Sequence, residues 1–180
     1  MRIKYFFLLV LLQLSISGNA QIERWYRIPS INATMPIRTV NILPDGEVWL
    51  GTYNDGAKKL NGSSWISYTE SNSGLSDNDV REISKDSQGN YWMATWNNLS
   101  KYTPGTNTWQ TFNVSGVSLD ILYSVEIDAQ DRIWVGTDGG ADPEDGLYLH
   151  NTGAFYNAAN SALDSNWVTF LETKAELAAL

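Results

Sequence analysis

The chain has 180 residues with no cysteine, one histidine and eight tryptophans, and its formal net charge is −8. The absence of cysteine rules out disulfides and thiol nucleophiles, a lone histidine rules out His-rich metal clusters, and the acidity argues against nucleic acid or anionic lipid as partners. Packing alone must hold the fold, and an aromatic content of 12% is enough for a substantial core.

Residues 1–20 read as an export leader. Arg2 and Lys4 precede an apolar run from Tyr5 to Ile16, and Gly18-Asn19-Ala20 offers the small residues that a signal peptidase cuts after. The run is shorter than the roughly 20 apolar residues of a membrane helix. No cysteine follows it that could carry a lipid, and no second hydrophobic segment comes later. The expected product is a soluble periplasmic or extracellular chain, in which ten basic residues face twenty acidic ones once Arg2 and Lys4 are removed.

Next comes Trp25-Tyr26-Arg27-Ile28, within a short segment, 22–28, that looks like an isolated outer strand. A unit of about 43 residues then repeats. Its clearest marks are Gly46-Glu47-Val48-Trp49-Leu50-Gly51-Thr52, Gly89-Asn90-Tyr91-Trp92-Met93-Ala94-Thr95 and Asp131-Arg132-Ile133-Trp134-Val135-Gly136-Thr137, the last with Asp in the glycine slot. Trp49 to Trp92 is 43 residues and Trp92 to Trp134 is 42, a spacing that belongs to whole supersecondary modules.

Each unit reads as four short strands. An apolar pair three apart opens it: Ile37 and Val40, Val80 and Ile83, Leu122 and Val125, then Val168 and Leu171. A tight turn holding Asp45, Asp86 or Asp128 leads into the tryptophan strand, where Asp and Gly supply turn capping and positive φ. A short apolar strand follows, then an aromatic-led one: Trp65 to Tyr68, Trp109 to Phe112, and Phe155-Tyr156. The joint Asn72-Ser73-Gly74-Leu75-Ser76-Asp77-Asn78-Asp79-Val80 returns as Asn160-Ser161-Ala162-Leu163-Asp164-Ser165-Asn166-Trp167-Val168.

Four antiparallel strands per unit without a helical period describe a β-propeller blade, so the expected class is all-β with blades over about 37–79, 80–121 and 122–167. After Leu171 the pattern breaks into a helix-prone tail, 172–180. Three blades do not close a ring of about four to eight. The expectation is therefore an N-terminal part of a larger protein or a prematurely ended reading frame. Several copies joining into a ring is the alternative.

The pattern V-x-x-I-x-x-D-x-x-G-x-x-W-(I/L/V)-G-T, carried here as Val80 to Thr95, together with W-x-x-Y-x-x-x-N-S-G-L-x-x-N-x-V, carried as Trp65 to Val80, resembles the two-component regulator propeller repeat. The resemblance runs from Trp25 to about Leu171. It implies a ring that is typically seven-bladed. It also implies one of two contexts: the periplasmic sensor half of a hybrid histidine kinase of Bacteroidetes that responds to oligosaccharides, or a secreted surface protein with a sorting domain. The chain itself has no kinase motif, which favours a sensing or binding propeller over a signalling enzyme.

In such a blade the loop from strand two to three and the joint to the next blade emerge on one face, the usual ligand surface. Tyr53, Trp96 and Asp138 begin the first kind of loop, directly after the three threonines. Asn78, Asp120 and Asn166 stand at the joints, with Tyr123 and Trp167 close by. Aromatic faces beside amides and carboxylates suit an oligosaccharide, since rings stack on sugar C–H surface while polar groups take the hydroxyls. Blade packing and turn capping are the plain alternatives, above all for the repeated Asn78 and Asn166.

Trp49, Trp92 and Trp134 recur in every unit and are expected in the core. The loop Asp138 to Gly146 carries four carboxylates without calcium-loop spacing and is expected as a solvated acidic loop. His150 is expected at the surface. No cofactor, metal or catalytic residue is expected. A propeller-type lyase, which would depend on a histidine at the channel, and an architectural role in binding a protein partner remain alternatives to ligand sensing.

Overall fold

The computed structural model describes residues 9–12, 24–27, 36–43, 45–114, 121–138 and 145–172. Two short strands near the N-terminus, β1 (Leu9–Leu12) and β2 (Arg24–Arg27), pair with each other antiparallel. Three four-stranded antiparallel sheets follow, each a meander in sequence order. The first holds β3 (Ile37–Ile42), β4 (Val48–Thr52), β5 (Ala57–Asn61) and β6 (Ser64–Tyr68). The second holds β7 (Val80–Lys85), β8 (Tyr91–Thr95), β9 (Leu99–Thr103) and β10 (Thr108–Phe112). The third holds β11 (Leu122–Ile127), β12 (Ile133–Thr137), β13 (Leu147–Leu149) and β14 (Ala154–Tyr156).

These are three blades of a propeller. Their first strands, β3, β7 and β11, are neighbours from blade to blade and so lie nearest the axis. The second strands are the most buried: every residue of β4 and β8 is buried, β4 against β7 of the next blade and β8 against β11 of the next.

The hairpin between strands one and two explains the Asp-x-x-Gly-x-x-Trp pattern. Asp86 and Asp128 open this turn and each accept the backbone N–H two residues on; in blade 1 Leu43 stands at the equivalent place, and Asp45, two residues later, accepts Glu47 N–H. The slot after it needs a left-handed backbone: Gly46 and Gly89 have φ of 84° and 82°, and Asp131 takes 56° in the third blade. In blades 2 and 3 the turn carboxylate also receives the indole N–H of the repeated tryptophan, Trp92 to Asp86 and Trp134 to Asp128, both at 2.9 Å. In blade 1 Leu43 stands where Asp86 and Asp128 do, and the buried Trp49 Nε1 has no partner.

The expectation that all three tryptophans are buried needs one correction. Trp49 and Trp92 are buried, but Trp134 is only half-buried. Trp49 is closed off by Tyr91 of the following blade, 4.5 Å between ring centroids. Trp134 has Tyr156 of its own blade at 6.0 Å and the Arg132 guanidinium over it at 5.3 Å. Asp145 also departs from a solvated acidic loop, since it is buried; residues 139–144 lie outside the described residues.

The joints are built from side-chain-to-backbone bonds, which is why Asn-Ser recurs there. Asn72 and Asn160 each span a turn, accepting from Thr69 and Asn157 N–H and donating to Ser67 and Phe155 carbonyls. Ser73 and Ser161 donate to the Thr69 and Asn157 carbonyls.

Candidate functional site

The rim formed by the strand-two-to-three loops and the joints is held by the repeated threonine. Thr52, Thr95 and Thr137 are fully buried at the ends of β4, β8 and β12, and their Oγ1 atoms donate to the Gly56, Asn98 and Gly146 carbonyls at 2.8, 2.6 and 3.2 Å. The same oxygens accept backbone N–H groups of Asp55, Asn98 and Gly146. The residue after each threonine is thereby fixed. Tyr53, Trp96 and Asp138 donate their N–H groups to Pro36, Asp79 and Ile121, just before strand one of the same blade.

Each first strand carries a bulge at its second residue, so that Arg38, Arg81 and Tyr123 fall out of the ladder with β4, β8 and β12. A bulge re-aims the side chain of the extra residue. Here it brings the three side chains against the predicted loop aromatics. The Arg38 guanidinium lies 4.7 Å from the Tyr53 ring. Arg81 is sandwiched between Trp96 at 4.8 Å and Tyr123 at 4.7 Å, and Tyr123 faces Trp167 at 6.4 Å.

Asp79, at the joint of blades 1 and 2, ties the row together. Its two oxygens accept from Arg38 Nε and Nη2 at 3.0 and 3.1 Å, and from Arg81 Nη2 at 3.2 Å. The Asp79 and Arg81 side chains are only 7% and 8% exposed, so this pairing is shielded from solvent and strong in geometry. Arg81 Nε is buried without a hydrogen-bond partner. The outcome is a continuous row across three blades: Tyr53, Arg38, Asp79, Arg81 with Trp96, then Tyr123 and Trp167.

Of the eight residues singled out in the sequence, the structure brings Tyr53, Trp96, Tyr123 and Trp167 into this row. Tyr53, Trp96 and Trp167 are exposed and able to meet a ligand. Asp138 stands on the same rim, where its carboxylate accepts Ile121 N–H at 3.3 Å. The side-chain oxygens of Asn78 and Asn166 are taken by Glu70 and Ala158 N–H groups at 3.0 and 2.9 Å. Asp120 lies outside the described residues.

Sequence reasoning missed Arg38, Arg81 and Asp79. The available signal was positional: the residue after the first member of each opening pair is Arg, Arg and Tyr, and both arginines stand near an aromatic that follows a threonine. Strict strand alternation hides it, because the bulge breaks the period.

The single histidine is far from this row in the fold. His150 follows β13 and packs between blades 2 and 3, 4.6 Å from Phe112 and 5.3 Å from Trp92. It is half-buried and not the surface residue expected, because Trp92, Phe112 and Tyr148 enclose it. Burial, reinforced by Lys101, holds its pKa below the ordinary imidazole value, so the ring is neutral at pH 7. Among the described residues no three His, Asp or Glu side chains gather as a metal-binding set, and no helix is long and apolar enough to cross a membrane.

Residues 74–97, which span the joint, β7 and β8, match the family model of the two-component regulator propeller. This segment is similar to a two-component regulator propeller repeat. Solved structures agree on the architecture. The extracellular domain of BT4673 of B. thetaiotaomicron, named as a one-component system, is similar at 22% identity with a TM-score of 0.56. That of BT3049, named as a hybrid two-component system of the same organism, is similar at 23% identity with a TM-score of 0.55. They cover 74% and 76% of this chain, which in turn spans 18% of each of them. Virginiamycin B lyase from Staphylococcus aureus is similar at 13% identity, with a TM-score of 0.54, over 73% of this chain and 43% of the lyase. At these identities the likeness is one of fold. No curated protein matches the sequence.

Proposed function

We propose that this chain is part of an exported, non-catalytic β-propeller sensor, and that it binds an extracellular oligosaccharide on the rim carrying the aromatic–arginine row. The observation that supports this most is the row itself. Tyr53 and Trp96 present exposed ring surface, each backed by a guanidinium that is fixed by Asp79, so the platform is pre-organised and loses little entropy on binding. The repeat family and the likeness to extracellular domains named as signalling systems point the same way. A lyase reading for this chain would rest on His150, which packs on Phe112 and Trp92 away from the row.

The test is a glycan array followed by calorimetry on the full chain. Binding is expected, and Tyr53→Ala or Trp96→Ala should weaken it about tenfold, a loss of ~1.4 kcal/mol. Absence of binding across neutral and acidic glycans, or binding indifferent to both substitutions, would overturn the proposal and move a protein-partner role ahead of it.

A further inference from the structure

The rim opposite the row is built differently at its two seams. Between blades 1 and 2, Trp49 and Tyr68 meet Tyr91 and Tyr102, with centroid distances of 4.5 Å for Trp49–Tyr91 and 5.3 Å for Tyr68–Tyr102. Glu47 accepts from Tyr91 Oη and pairs with Lys59 and Lys85, while Lys59 lies over both the Trp49 and Tyr91 rings. That seam is filled.

At the equivalent positions between blades 2 and 3, Trp92 and Phe112 meet Ile133 and His150. Two tyrosines are thus replaced by two smaller side chains. Ile127 stands where Lys85 did, and Asn90, in the place of Glu47, turns back onto Asp86 at 2.8 Å. Lys101, the counterpart of Lys59, remains 5.0 Å over Trp92 and has no ion pair among the described residues. What these exchanges leave is a cavity of about 540 Å³, within the size range of small-molecule sites.

We propose that this cavity is a second binding site, for a neutral carbohydrate of one or two rings. Trp92, Phe112 and Ile133 give it an apolar wall on which a sugar C–H face can rest. The half-buried His150 ring lines the site, and a neutral imidazole carries one N–H donor and one acceptor nitrogen, the pairing that sugar hydroxyls take up. Lys101, Asp86 and Asp131 line the site together, so neither an anion nor a cation meets a field of one sign, and Gln88 and Gln130 stand exposed beside them. The site lies at the other end of the strands from the aromatic–arginine row, so it stands or falls independently of that row.

Because the chain has one histidine, its imidazole resonances are unambiguous in a spectrum of the whole protein. The experiment titrates the full chain with glucose, galactose, N-acetylglucosamine and maltose while following those signals. At least one sugar should shift them saturably. Ile133→Tyr, which installs the residue that fills the other seam, should weaken binding at least about tenfold. The double variant Gln88→Ala/Gln130→Ala, confined to exposed side chains, should weaken it several-fold and decides the matter where Ile133→Tyr fails to fold. Tyr53→Ala and Trp96→Ala should leave the shift intact. No shift with any of the four sugars, a shift that survives both cavity variants, or one abolished by the row variants would overturn the proposal.

Discussion

Gly51→Ala tests whether the blades are held at contact distance by the backbone itself. Gly51 lies in β4, and a Cβ placed there would sit 2.4 Å from the Val80 carbonyl oxygen and 2.8 Å from Thr39 Cγ2. Ordinary contact begins at 3.4 Å, so β7 of the next blade would have to retreat by about 1 Å. The obstacle is a backbone oxygen in a paired strand, which cannot swing aside as a side chain would. Overpacking of this kind costs roughly 1–3 kcal/mol, and the upper end applies because both sides are fully buried. Gly136→Ala meets the Val168 carbonyl oxygen at 2.2 Å at the following seam, but Val168 lies in no strand and is only half-buried, so this obstacle yields more easily. Urea unfolding followed by tryptophan fluorescence should show Gly51→Ala destabilised by about 2–3 kcal/mol and Gly136→Ala by about 1 kcal/mol, with the two effects additive because they share no partners. A cost below about 0.5 kcal/mol for both, the range of an ordinary surface change, would refute the argument.

Asp79→Asn removes the carboxylate shared by two guanidiniums and should cost about 3 kcal/mol in the same unfolding assay, because Arg81 is left buried and unpaired; a loss near zero would show that the arginines are solvated in solution. Thr95→Val deletes a buried hydroxyl that bonds the Asn98 N–H and carbonyl and contacts Ser76 Oγ, with an expected loss of about 1–2 kcal/mol and a mobile Trp96 in relaxation measurements. Glu82 supplies a pH dependence: burial first, then the neighbouring Glu126, push its pKa up to about 7, against a bond from Val125 N–H. Since the unfolded carboxyl titrates near 4.5, the native state holds the proton more tightly, and stability falls as pH rises from about 4.5 to 7. The full shift is worth roughly 3 kcal/mol, and partial solvation of the group reduces this to about 2. Glu82→Gln should flatten that slope; parallel curves for the two proteins would count against it.

The blades were legible because their chemistry is local. Trp49, Trp92 and Trp134 sit a blade apart, and Asp86 and Asp128 lie six residues before the indoles they bind, so period and contact coincide in the sequence. The loop aromatics were legible for the same reason, since each follows a threonine that clamps its own loop. Arg38, Arg81 and Asp79 were not, because a single bulged residue reverses the side-chain direction that alternation predicts. The environment of His150 escaped as well. It depends on Trp92 and Phe112 across a seam, and on Ile133 being smaller than the tyrosine at the same place one blade earlier.

That difference between seams means that the blades, alike in backbone, are keyed to their order. Were the second blade excised, Ile133 and His150 would face Trp49 and Tyr68, and Ile127 would come to the place of Lys85. Glu47 would keep Lys59 but lose the Tyr91 hydroxyl and the Lys85 ammonium. The scaffold would accept the junction, and the charges at it would not. The blades are thus a fixed series, in which gain, loss or shuffling of a unit is penalised at the side chains and not at the fold.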